Sequence, residues 1–350
     1  MHRVYSQFKL EGNPLSCARY GSGHINQTYL LVTDQPHLYI LQRLSQTVFK
    51  EPDKLMSNLI RVTGHLRRQG LDERHVLTLV ETVDGKPYLV DGEGAYWRLY
   101  EFVTRSLCLD KPETPDDFYQ SARAFGQFQN QLQDFDAASL YETIPHFHDT
   151  PERYNQLKRA MEENRAGRLD LAKAEIEHYL SFESGAGELM NLYREGKLPL
   201  RVTHNDTKLN NVMLDSVTRT PLCVIDLDTV MPGFAANDFG DSIRFGANTA
   251  AEDEKDVSKV SLSLPLYNIY AKGFLETCGD RLTDVERLSL PTGARLMTLE
   301  CGVRFLADYL NGDTYFRTAY PEHNLVRCRT QIALVEDMDR KWNEMLKAVQ

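Results

Sequence analysis

The sequence Val202-Thr203-His204-Asn205-Asp206-Thr207-Lys208-Leu209-Asn210-Asn211 is a polar segment that leads into the apolar run Val212-Met213-Leu214. A turn-like segment follows, and then a second apolar run, Leu222-Cys223-Val224-Ile225, after which comes Asp226. The apolar runs predict two strands, and the turn between them predicts a hairpin. In such a hairpin Asn211, at the start of one strand, would lie near Asp226, at the end of the other.

The side chains at the ends of this hairpin are those that a magnesium site requires. Mg²⁺ prefers oxygen ligands, which an amide such as Asn211 and a carboxylate such as Asp226 supply together with water. A further carboxylate, Asp206, would then reach a hydroxyl group beside the metal. Phosphoryl transfer needs a metal that neutralises phosphate oxygens and a carboxylate that orients and deprotonates the acceptor. A polar loop with exposed acids is the plainer alternative. Five residue types that match those of a kinase-like catalytic loop, at the same spacing, favour catalysis.

The order His-x-Asp-x-Lys-x-x-Asn, followed by a strand pair and an Asp, resembles the catalytic loop and metal-binding Asp of the protein-kinase-like fold. Ile225-Asp226-Leu227-Asp228 replaces Asp-Phe-Gly, which points toward the aminoglycoside and small-molecule phosphotransferase branch. The resemblance implies an α+β protein with two lobes. Residues 1–103 would form a small β-rich nucleotide-binding lobe, and residues 104–350 a larger, mainly α-helical lobe that carries the catalytic and acceptor-binding groups.

The same resemblance implies a role for each polar residue of the segment. Asp206 would be the catalytic base, and Lys208 a cation near the transferred phosphate. Asn211 and Asp226 would be metal ligands, with Asp228 as a second-metal or water-mediated ligand. The implied cofactors are ATP and Mg²⁺.

Four blocks of the chain resemble bacterial N-acetylhexosamine 1-kinases more closely, and the similarity runs nearly end to end. The blocks are 204–211, 226–233, 238–246 and 300–309. The resemblance implies that ATP phosphorylates the anomeric C1 hydroxyl of N-acetylglucosamine or N-acetylgalactosamine. It also implies that an Asp in the block at 238–246 braces the catalytic loop by accepting backbone hydrogen bonds.

Four side chains are expected to face the sugar on the basis of this resemblance. His24 lies in a glycine turn, Phe245 would form one wall of the pocket, and Tyr315 would add a hydroxyl or a stacking ring. Arg304 would bond sugar hydroxyls or the acetamido carbonyl, because its forked donor suits paired oxygens. A turn histidine and a helix arginine are more often solvated surface residues, which is the alternative for His24 and Arg304.

The first hundred residues predict strands around a glycine turn. Gly21 and Gly23 would let backbone amides approach phosphate oxygens, although the same pattern also serves an ordinary hairpin. The alternating segment Ala95–Val103 predicts a strand that runs into the connector between the lobes. There adenine would bond to backbone groups near Glu101 and Val103, unless the segment is an ordinary core strand.

One expected feature of a kinase-like lobe cannot be found in the sequence. A cation on the third strand should pair with a helix Glu and reach the α- and β-phosphates, but this strand offers Gln42 and Arg43. The following helix, with apolar residues three and four apart, has Asn58 where the Glu would stand. Which residue contacts those phosphates is left open.

Composition and charge narrow the remaining choices. A net charge of −10 argues against nucleic acid or an anionic membrane as partner, but it would suit a cationic acceptor. No apolar run resembles a signal peptide or a membrane span, so we expect a cytoplasmic protein. The six cysteines show no disulfide or zinc spacing, and His146 and His148 fit a loop before a helix better than a metal site.

The sequence predicts a small-molecule kinase whose acceptor is an N-acetylhexosamine. Two alternatives stay open at this point. One is a kinase of the same fold that acts on an aminoglycoside or a choline-like alcohol, and the other is a pseudokinase that binds nucleotide without turnover. The preferred epimer, the number of metal ions and the oligomeric state are not predicted.

Overall fold

A computed structural model describes residues 1–21, 23, 25–35 and 37–350. The chain forms two compact units, which are not continuous in sequence. The first contains Met1–Cys108, Ser139–Pro145 and Val212–Met231. The second contains Leu109–Ala138, His146–Asn211 and Pro232–Gln350. The proposed boundary at residue 103 stays a prediction for the functional lobes.

Helices make up 48% of the chain and strands 14%, so the predicted α+β class is confirmed. The strands of the described residues are β1 (Pro14–Arg19), β2 (Gln27–Thr33), β3 (Leu38–Arg43), β4 (Leu89–Val90), β5 (Tyr96–Glu101), β6 (Ser106–Cys108), β7 (Arg201–Thr203), β8 (Val212–Asp215), β9 (Pro221–Val224) and β10 (Met231–Gly233). The helices are α1 (His2–Tyr5), α2 (Pro52–Arg68), α3 (Pro115–Gln131), α4 (Thr150–Glu163), α5 (Lys173–Phe182), α6 (Glu188–Arg194), α7 (Ala235–Gly246), α8 (Leu264–Cys278), α9 (Asp284–Leu288), α10 (Leu290–Leu310), α11 (His323–Arg340) and α12 (Trp342–Lys347).

The first unit is built on an antiparallel sheet with the strand order β1-β2-β3-β5-β4. Alternate residues of the central strands, such as Leu31, Leu41 and Leu99, point into an apolar core and have no exposed surface. That alternation follows from the two-residue period of a strand. The sheet therefore presents one face to the core of this unit and leaves the other face for polar side chains.

The first unit also takes in the hairpin predicted at residues 212–225. β8 and β9 pair antiparallel with Val212 opposite Val224, which confirms the predicted hairpin. β6 pairs with β8 on its other side, with Leu107 opposite Leu214. This third strand, not predicted from the sequence, explains why residues 212–231 group with the first unit although they follow the catalytic loop.

The second unit is mainly helical, and its longest helix, α10, packs against several others. α3 begins with a capping box, in which the Thr114 side chain accepts a hydrogen bond from the backbone N–H of Asp117 and the Asp117 carboxylate accepts one from the backbone N–H of Thr114. α7 and α10 approach closely through glycines. A Cβ atom built on Gly240 would lie 2.3 Å from the backbone of Gly293, so this crossing leaves no room for a larger residue.

Two further findings concern the chain as a whole. All six cysteines are free thiols, and Cys223 is buried as its place in an apolar strand predicts. Within the described parts of the chain, no helix is long and apolar enough to cross a membrane.

Candidate active site

The loop after β7 is fastened by a buried carboxylate of α7. Asp238 accepts hydrogen bonds from the backbone N–H groups of His204 and Asn205 at 2.9 and 2.8 Å. Gln129 of α3 donates to the same carboxylate at 2.8 Å. Asp238 has no exposed surface, so these donors replace the water that a buried carboxylate loses. The predicted bracing role of an Asp in this block is confirmed.

A second carboxylate, one turn further along α7, holds the middle of the same loop. Asp241 accepts the backbone N–H of Thr207 at 3.0 Å and pairs with Arg244 at 3.1 Å. Burial raises the pKa of Asp241, but the neighbouring cations Arg244 and Lys208 lower it by more than burial raises it. The pKa therefore lies below its ordinary value. Two carboxylates on successive turns of one helix thus hold the backbone N–H groups of His204, Asn205 and Thr207, on both sides of Asp206.

The partly buried Asp206 and Lys208 meet the buried Asn211 in this loop. The Nζ atom of Lys208 lies 2.8 Å from Oδ1 of Asp206. The amide nitrogen of Asn211 donates to the backbone oxygen of Asp206 at 2.8 Å and to its Oδ2 at 3.1 Å. Burial lowers the pKa of Lys208, whereas Asp206 raises it, and the pKa lies above its ordinary value. Lys208 is therefore a cation at neutral pH, and its charge is held beside the carboxylate.

Asp226 and Asp228 belong to the first unit and differ sharply in their surroundings. Asp226 is exposed, with φ of 58°, at the start of a short 3-10 turn, Leu227–Thr229. Asp228 is 3% exposed, and both of its carboxylate oxygens have partners. Oδ1 lies 2.5 Å from Nη1 of Arg98, and Oδ2 accepts a hydrogen bond from Asn26 at 2.6 Å. Asp226 is therefore the accessible carboxylate of the pair, and metal binding by Asp228 stays a prediction.

A buried cation lies on β5, the strand next to β3. Arg98 of β5 stands directly opposite Gln42 in the sheet, and its Nε and Nη2 atoms donate to Oε1 of Gln42 at 2.9 and 2.7 Å. Arg98 is only 1% exposed. Burial lowers the pKa of its guanidinium, but Asp228 raises it and the pKa lies above its ordinary value. The sequence analysis did not single out Arg98, although an arginine among the mainly apolar residues of β5 could have indicated a buried charge.

Asn58, which replaces the expected helix glutamate, links three segments of the first unit. Its amide nitrogen donates to the carbonyl groups of Tyr141 and Val230 at 2.7 and 3.1 Å, and its oxygen accepts the N–H of Tyr141 at 2.9 Å. An amide can serve as donor and acceptor at once, which a glutamate cannot. The amide of Asn58 therefore joins α2 to the backbone of Tyr141 and Val230. These hydrogen bonds stand where a glutamate would form an ion pair.

The predicted nucleotide-contacting residues lie in the first unit. Gly21 has φ of 75°, and a Cβ atom added to Gly21 or Gly23 would meet no atom within 4 Å. The N–H of Glu101 donates to the carbonyl of Thr78 at 2.9 Å, and the carbonyl of Val103 accepts the hydroxyl of Ser106 at 2.7 Å. His24, predicted to face the sugar, lies outside the described residues. The nucleotide roles stay predictions.

A cavity of about 390 Å³ opens in the second unit next to the catalytic loop. Phe245 and Phe118 line it, together with Lys208 and the buried Arg244. The one acid among the described lining residues is Glu252, which pairs with Arg244 at 2.9 Å. The cavity thus combines aromatic walls with cationic side chains whose acidic counterpart is already engaged.

Arg304 and Tyr315 are brought together elsewhere in the second unit. Nη2 of Arg304 donates to the Tyr315 hydroxyl at 3.3 Å, and the guanidinium lies 5.4 to 5.7 Å from the ring centres of Phe147, Tyr315 and Phe316. Neither Arg304 nor Tyr315 lines the cavity beside Phe245. The three predicted sugar-facing residues of this unit therefore form two groups, one at the cavity and one at this aromatic cluster.

The segment that carries Tyr315 is held by a carboxylate that the sequence analysis did not single out. Asp308 of α10 accepts the backbone N–H groups of Thr314, Tyr315 and Phe316 at 2.8 to 2.9 Å. The amide of Asn324 donates to it at 2.9 Å. Three consecutive N–H groups that bond one carboxylate fix a turn, so Asp308 fixes the backbone position of Tyr315.

Metal-binding groups are sparse apart from these residues. The described residues contain no group of three or more His, Cys, Asp or Glu side chains that would hold a metal ion. His146 and His148 lie before α4 as predicted, and His148 bonds Glu300 rather than a metal. Mg²⁺ commonly binds through one or two protein carboxylates together with substrate phosphates. The few oxygen ligands present fit a cation that arrives with a nucleotide.

Comparisons with known proteins agree with this fold. Residues 16–258, more than half of the chain, match APH, a phosphotransferase enzyme family. The microcompartment-associated aminopropanol kinase is 18% identical, with a TM-score of 0.59 over 98% of this chain and 97% of that one. An amicoumacin kinase in complex with AMP-PNP and Ca²⁺ is 12% identical, with a TM-score of 0.64 over 94% and 91%. Choline kinase from Cryptosporidium parvum is 12% identical, with a TM-score of 0.60 over 95% and 91%.

Sequence identity at this level establishes the fold and nothing finer. The predicted kinase-like architecture, with an antiparallel sheet in one part and mainly helices in the other, is confirmed. The acceptors named for these structures differ from one another. The acceptor of this chain must therefore be argued from its own residues.

Proposed function

The chain belongs to the phosphotransferase enzyme family, and on that premise we propose that it transfers the γ-phosphate of ATP to the anomeric hydroxyl of an N-acetylhexosamine. The products would be the sugar 1-phosphate and ADP. The observation that carries the proposal is the cluster of Asp206, Lys208 and Asn211 on a loop that α7 holds in place. A carboxylate beside a fixed cation suits deprotonation of a hydroxyl next to a phosphate.

Asp206 is the proposed base. Its carboxylate holds the C1 hydroxyl in line with the γ-phosphate and takes the proton as the new O–P bond forms. Asn211 steadies the carboxylate through Oδ2, and Lys208 offsets the negative charge that spreads over the transferred group. An anomeric hydroxyl is somewhat more acidic than an ordinary alcohol, so a carboxylate suffices as base.

Asn211 and Asp226 are the proposed ligands of Mg²⁺, which when bound neutralises phosphate oxygens of the nucleotide. The side-chain nitrogen of Asn211 donates to Asp206, so the side-chain oxygen of Asn211 is the atom that would bind the cation. Asp226 is exposed, as a ligand of a nucleotide-borne ion must be. Both residues therefore fit a magnesium-dependent reaction.

The proposed adenine contacts are backbone groups near Glu101 and Val103. Because the N–H of Glu101 is used on Thr78, its carbonyl is the group that would accept the adenine amino group. The carbonyl of Val103 is used on Ser106, so its N–H is the group that would donate to the ring. Gly21 and Gly23 are proposed to approach the phosphates. Among the described residues, nothing lies within 4 Å of a Cβ atom built on Gly23, so there is room for a phosphate to approach the backbone.

A neutral sugar fits the described acceptor groups better than a cation does. Lys208 and Lys111 line the cavity, and the one acid among its described lining residues, Glu252, is already paired with Arg244, so an ammonium group would find no unpaired carboxylate in that lining. The proposed sugar contacts are the ring of Phe245, the guanidinium of Arg304 and the hydroxyl of Tyr315, with His24 retained from the sequence prediction. Arginine suits the paired oxygens of a sugar or an acetamido group.

The test is ADP release from ATP and Mg²⁺ with a panel of acceptors. N-acetylglucosamine and N-acetylgalactosamine are expected to stimulate release, whereas aminopropanol, choline and kanamycin are expected to leave the rate at background. Phosphorus NMR of the product should show coupling to the anomeric proton. Chelation of the metal with EDTA should stop the reaction, and added Mg²⁺ should restore it.

Other outcomes would redirect the proposal. Release stimulated by an amine and not by either sugar would establish a kinase for a cationic acceptor. Nucleotide binding with no acceptor-dependent release would indicate a pseudokinase. Phosphate found on a hydroxyl other than that of C1 would contradict the assigned position.

A further inference from the structure

A buried histidine and glutamate lie beside the residue that precedes Asp206. Nδ1 of His148 lies 3.0 Å from Oε1 of Glu300, and Nε2 lies 3.2 Å from the backbone oxygen of Asn205. Glu300 is 2% exposed and His148 11% by side chain. The pair is in the second unit, and the reaction scheme above assigns it no role.

The partners of His148 require a proton on each of its ring nitrogens. A carbonyl oxygen only accepts, so Nε2 must carry hydrogen toward Asn205. An ionised carboxylate also only accepts, so Nδ1 must carry hydrogen toward Glu300. A neutral imidazole has a single N–H. The arrangement is therefore that of an imidazolium on a carboxylate, with the remaining oxygen of Glu300 accepting the hydroxyl of Thr150 at 3.2 Å.

The surrounding charges favour this ionised pair. Burial lowers the pKa of His148, but Glu300 raises it and the pKa lies above the ordinary value of 6.5. Burial raises the pKa of Glu300, but His148 lowers it and the pKa lies below the ordinary value of 4.5. The other charged groups that face the pair are Asp241 of α7, Arg153 of α4 and Arg304 of α10.

The backbone that His148 contacts is in the left-handed conformation. Asn205 has φ of 64°, which asparagine adopts more readily than most residues and which its neighbours hold in place. Asp238 holds its N–H and His148 holds its carbonyl. The two peptide groups that flank the Cα of Asn205 are thus each held by a buried charged side chain, and the second of them leads into Asp206.

We propose that His148 is a positioning residue, which as an imidazolium held by Glu300 fixes the Asn205 carbonyl and thereby aims the Asp206 carboxylate at the acceptor hydroxyl. This inference rests on the proposed role of Asp206 as the base. His148 touches neither substrate, so its loss should lower kcat and leave the KM for ATP nearly unchanged.

The sign of the pH effect follows from the raised pKa of His148. Its stabilising contribution is fully present below 6.5 and is lost as the pH rises through the higher folded value. We therefore expect kcat to fall at alkaline pH as His148 loses one proton. Without the charge of Glu300 the pKa of His148 drops, because burial then acts unopposed by its nearest carboxylate.

The experiment compares pH profiles of kcat for ADP release with N-acetylglucosamine. Glu300→Gln should move the alkaline limb to lower pH by about one unit or more. His148→Gln keeps one donor but cannot ionise, so its profile should lack that limb. His148→Phe should reduce kcat at least tenfold with the KM for ATP within twofold. His146→Gln, the same change on an exposed histidine of the same loop, is the matched control.

Proton-coupled ¹⁵N NMR of the wild-type histidines reads the charge of His148 directly, whether or not the sugar is correct. The resonance absent from His148→Gln should show hydrogen on both nitrogens at pH 7. A neutral ring at pH 7 would overturn the proposal. So would a Glu300→Gln profile identical to the wild type. A charged ring in a chain that phosphorylates no sugar would instead count against the proposed function alone.

Discussion

Asp226 and Asp228 show how two identical side chains, two positions apart, can serve different purposes. Asp226 is exposed, whereas Asp228 is buried against a guanidinium and an amide. Spacing alone cannot separate them, because both follow the same strand. Burial and partners can: Asp226 is accessible to a ligand, whereas Asp228 holds other side chains of the protein.

Replacement of the proposed base is the most direct test of the chemistry. Asp206→Asn keeps the size of the side chain and its contact with Asn211 but cannot take a proton. We expect kcat to fall by roughly 10²- to 10⁴-fold, measured as sugar-dependent ADP release. Asp134→Asn, at an exposed position, should leave kcat unchanged. Turnover near the wild-type rate in Asp206→Asn would remove Asp206 from the reaction.

The two acids of residues 226–228 should respond differently to the same change. Asp226→Asn should raise the Mg²⁺ concentration needed for turnover while the free energy of unfolding changes by less than about 1 kcal/mol, since Asn tolerates positive φ. Asp228→Asn leaves the charge of Arg98 buried without its partner and should cost roughly 3–5 kcal/mol of unfolding free energy. Magnesium titrations and urea denaturation measure the two effects. The reverse pattern would exchange the two roles.

α7 connects the packing of the second unit to its catalytic loop. Asp238 and Asp241 of this helix hold the loop, and Gly240, which lies between them in sequence, meets Gly293 of α10. Because Gly240 and Gly293 have no side chains, the backbones of α7 and α10 are in direct contact. This contact fixes the position of α7 and therefore of its two carboxylates. Small residues at a helix crossing are therefore part of the site although they touch no substrate.

Gly240→Ala tests that crossing. The added Cβ atom would lie 2.3 Å from backbone that cannot rotate away, so overpacking should lower the free energy of unfolding by roughly 1–3 kcal/mol or more. Gly64→Ala in α2, whose nearest contact would be an arginine tip at 3.7 Å, should raise it by roughly 0.5–1 kcal/mol. Urea denaturation measures both. A neutral effect of Gly240→Ala would show that the helices separate without cost.

Buried ion pairs tie distant segments of the chain and make its stability depend on pH. Asp337 of α11 accepts the N–H of Leu262 at 2.7 Å and pairs with Lys341 at 2.7 Å. Burial raises the pKa of Asp337, but Lys341, Ser261 and the N–H of Leu262 lower it to about 2. The contribution of this carboxylate is fully present above its ordinary value of 3.8 and is lost as the pH falls through about 2.

Asp337→Asn should therefore be less stable than the wild type at pH 5 by up to about 2 kcal/mol, at about 1.36 kcal/mol for each pKa unit. The difference should shrink as the pH falls from 4 toward 2, since both proteins then carry an uncharged group. Urea denaturation across that range measures it, with Asp134→Asn as control. A difference that is constant with pH would exclude the ion pair as its cause.

Local patterns were sufficient to predict the elements and the residue types of the candidate site. Alternation and turn residues predicted the hairpin of β8 and β9, helical spacing predicted α2, and the polar run at 204–211 predicted a base and an amide in one loop. These features depend on neighbours in the sequence, so periodicity and spacing contain them. The kinase-like fold followed from resemblance to a known order of residues.

Contacts between residues far apart in the chain could not be predicted in this way. Arg98 meets Asp228, and His148 meets Glu300, across more than a hundred residues, and no local period relates such positions. Sequence indicates that a charge is present, but only the folded chain shows whether water or an opposite charge surrounds it. That surrounding decides its pKa and its partner, and with them whether it binds a ligand or holds the protein together.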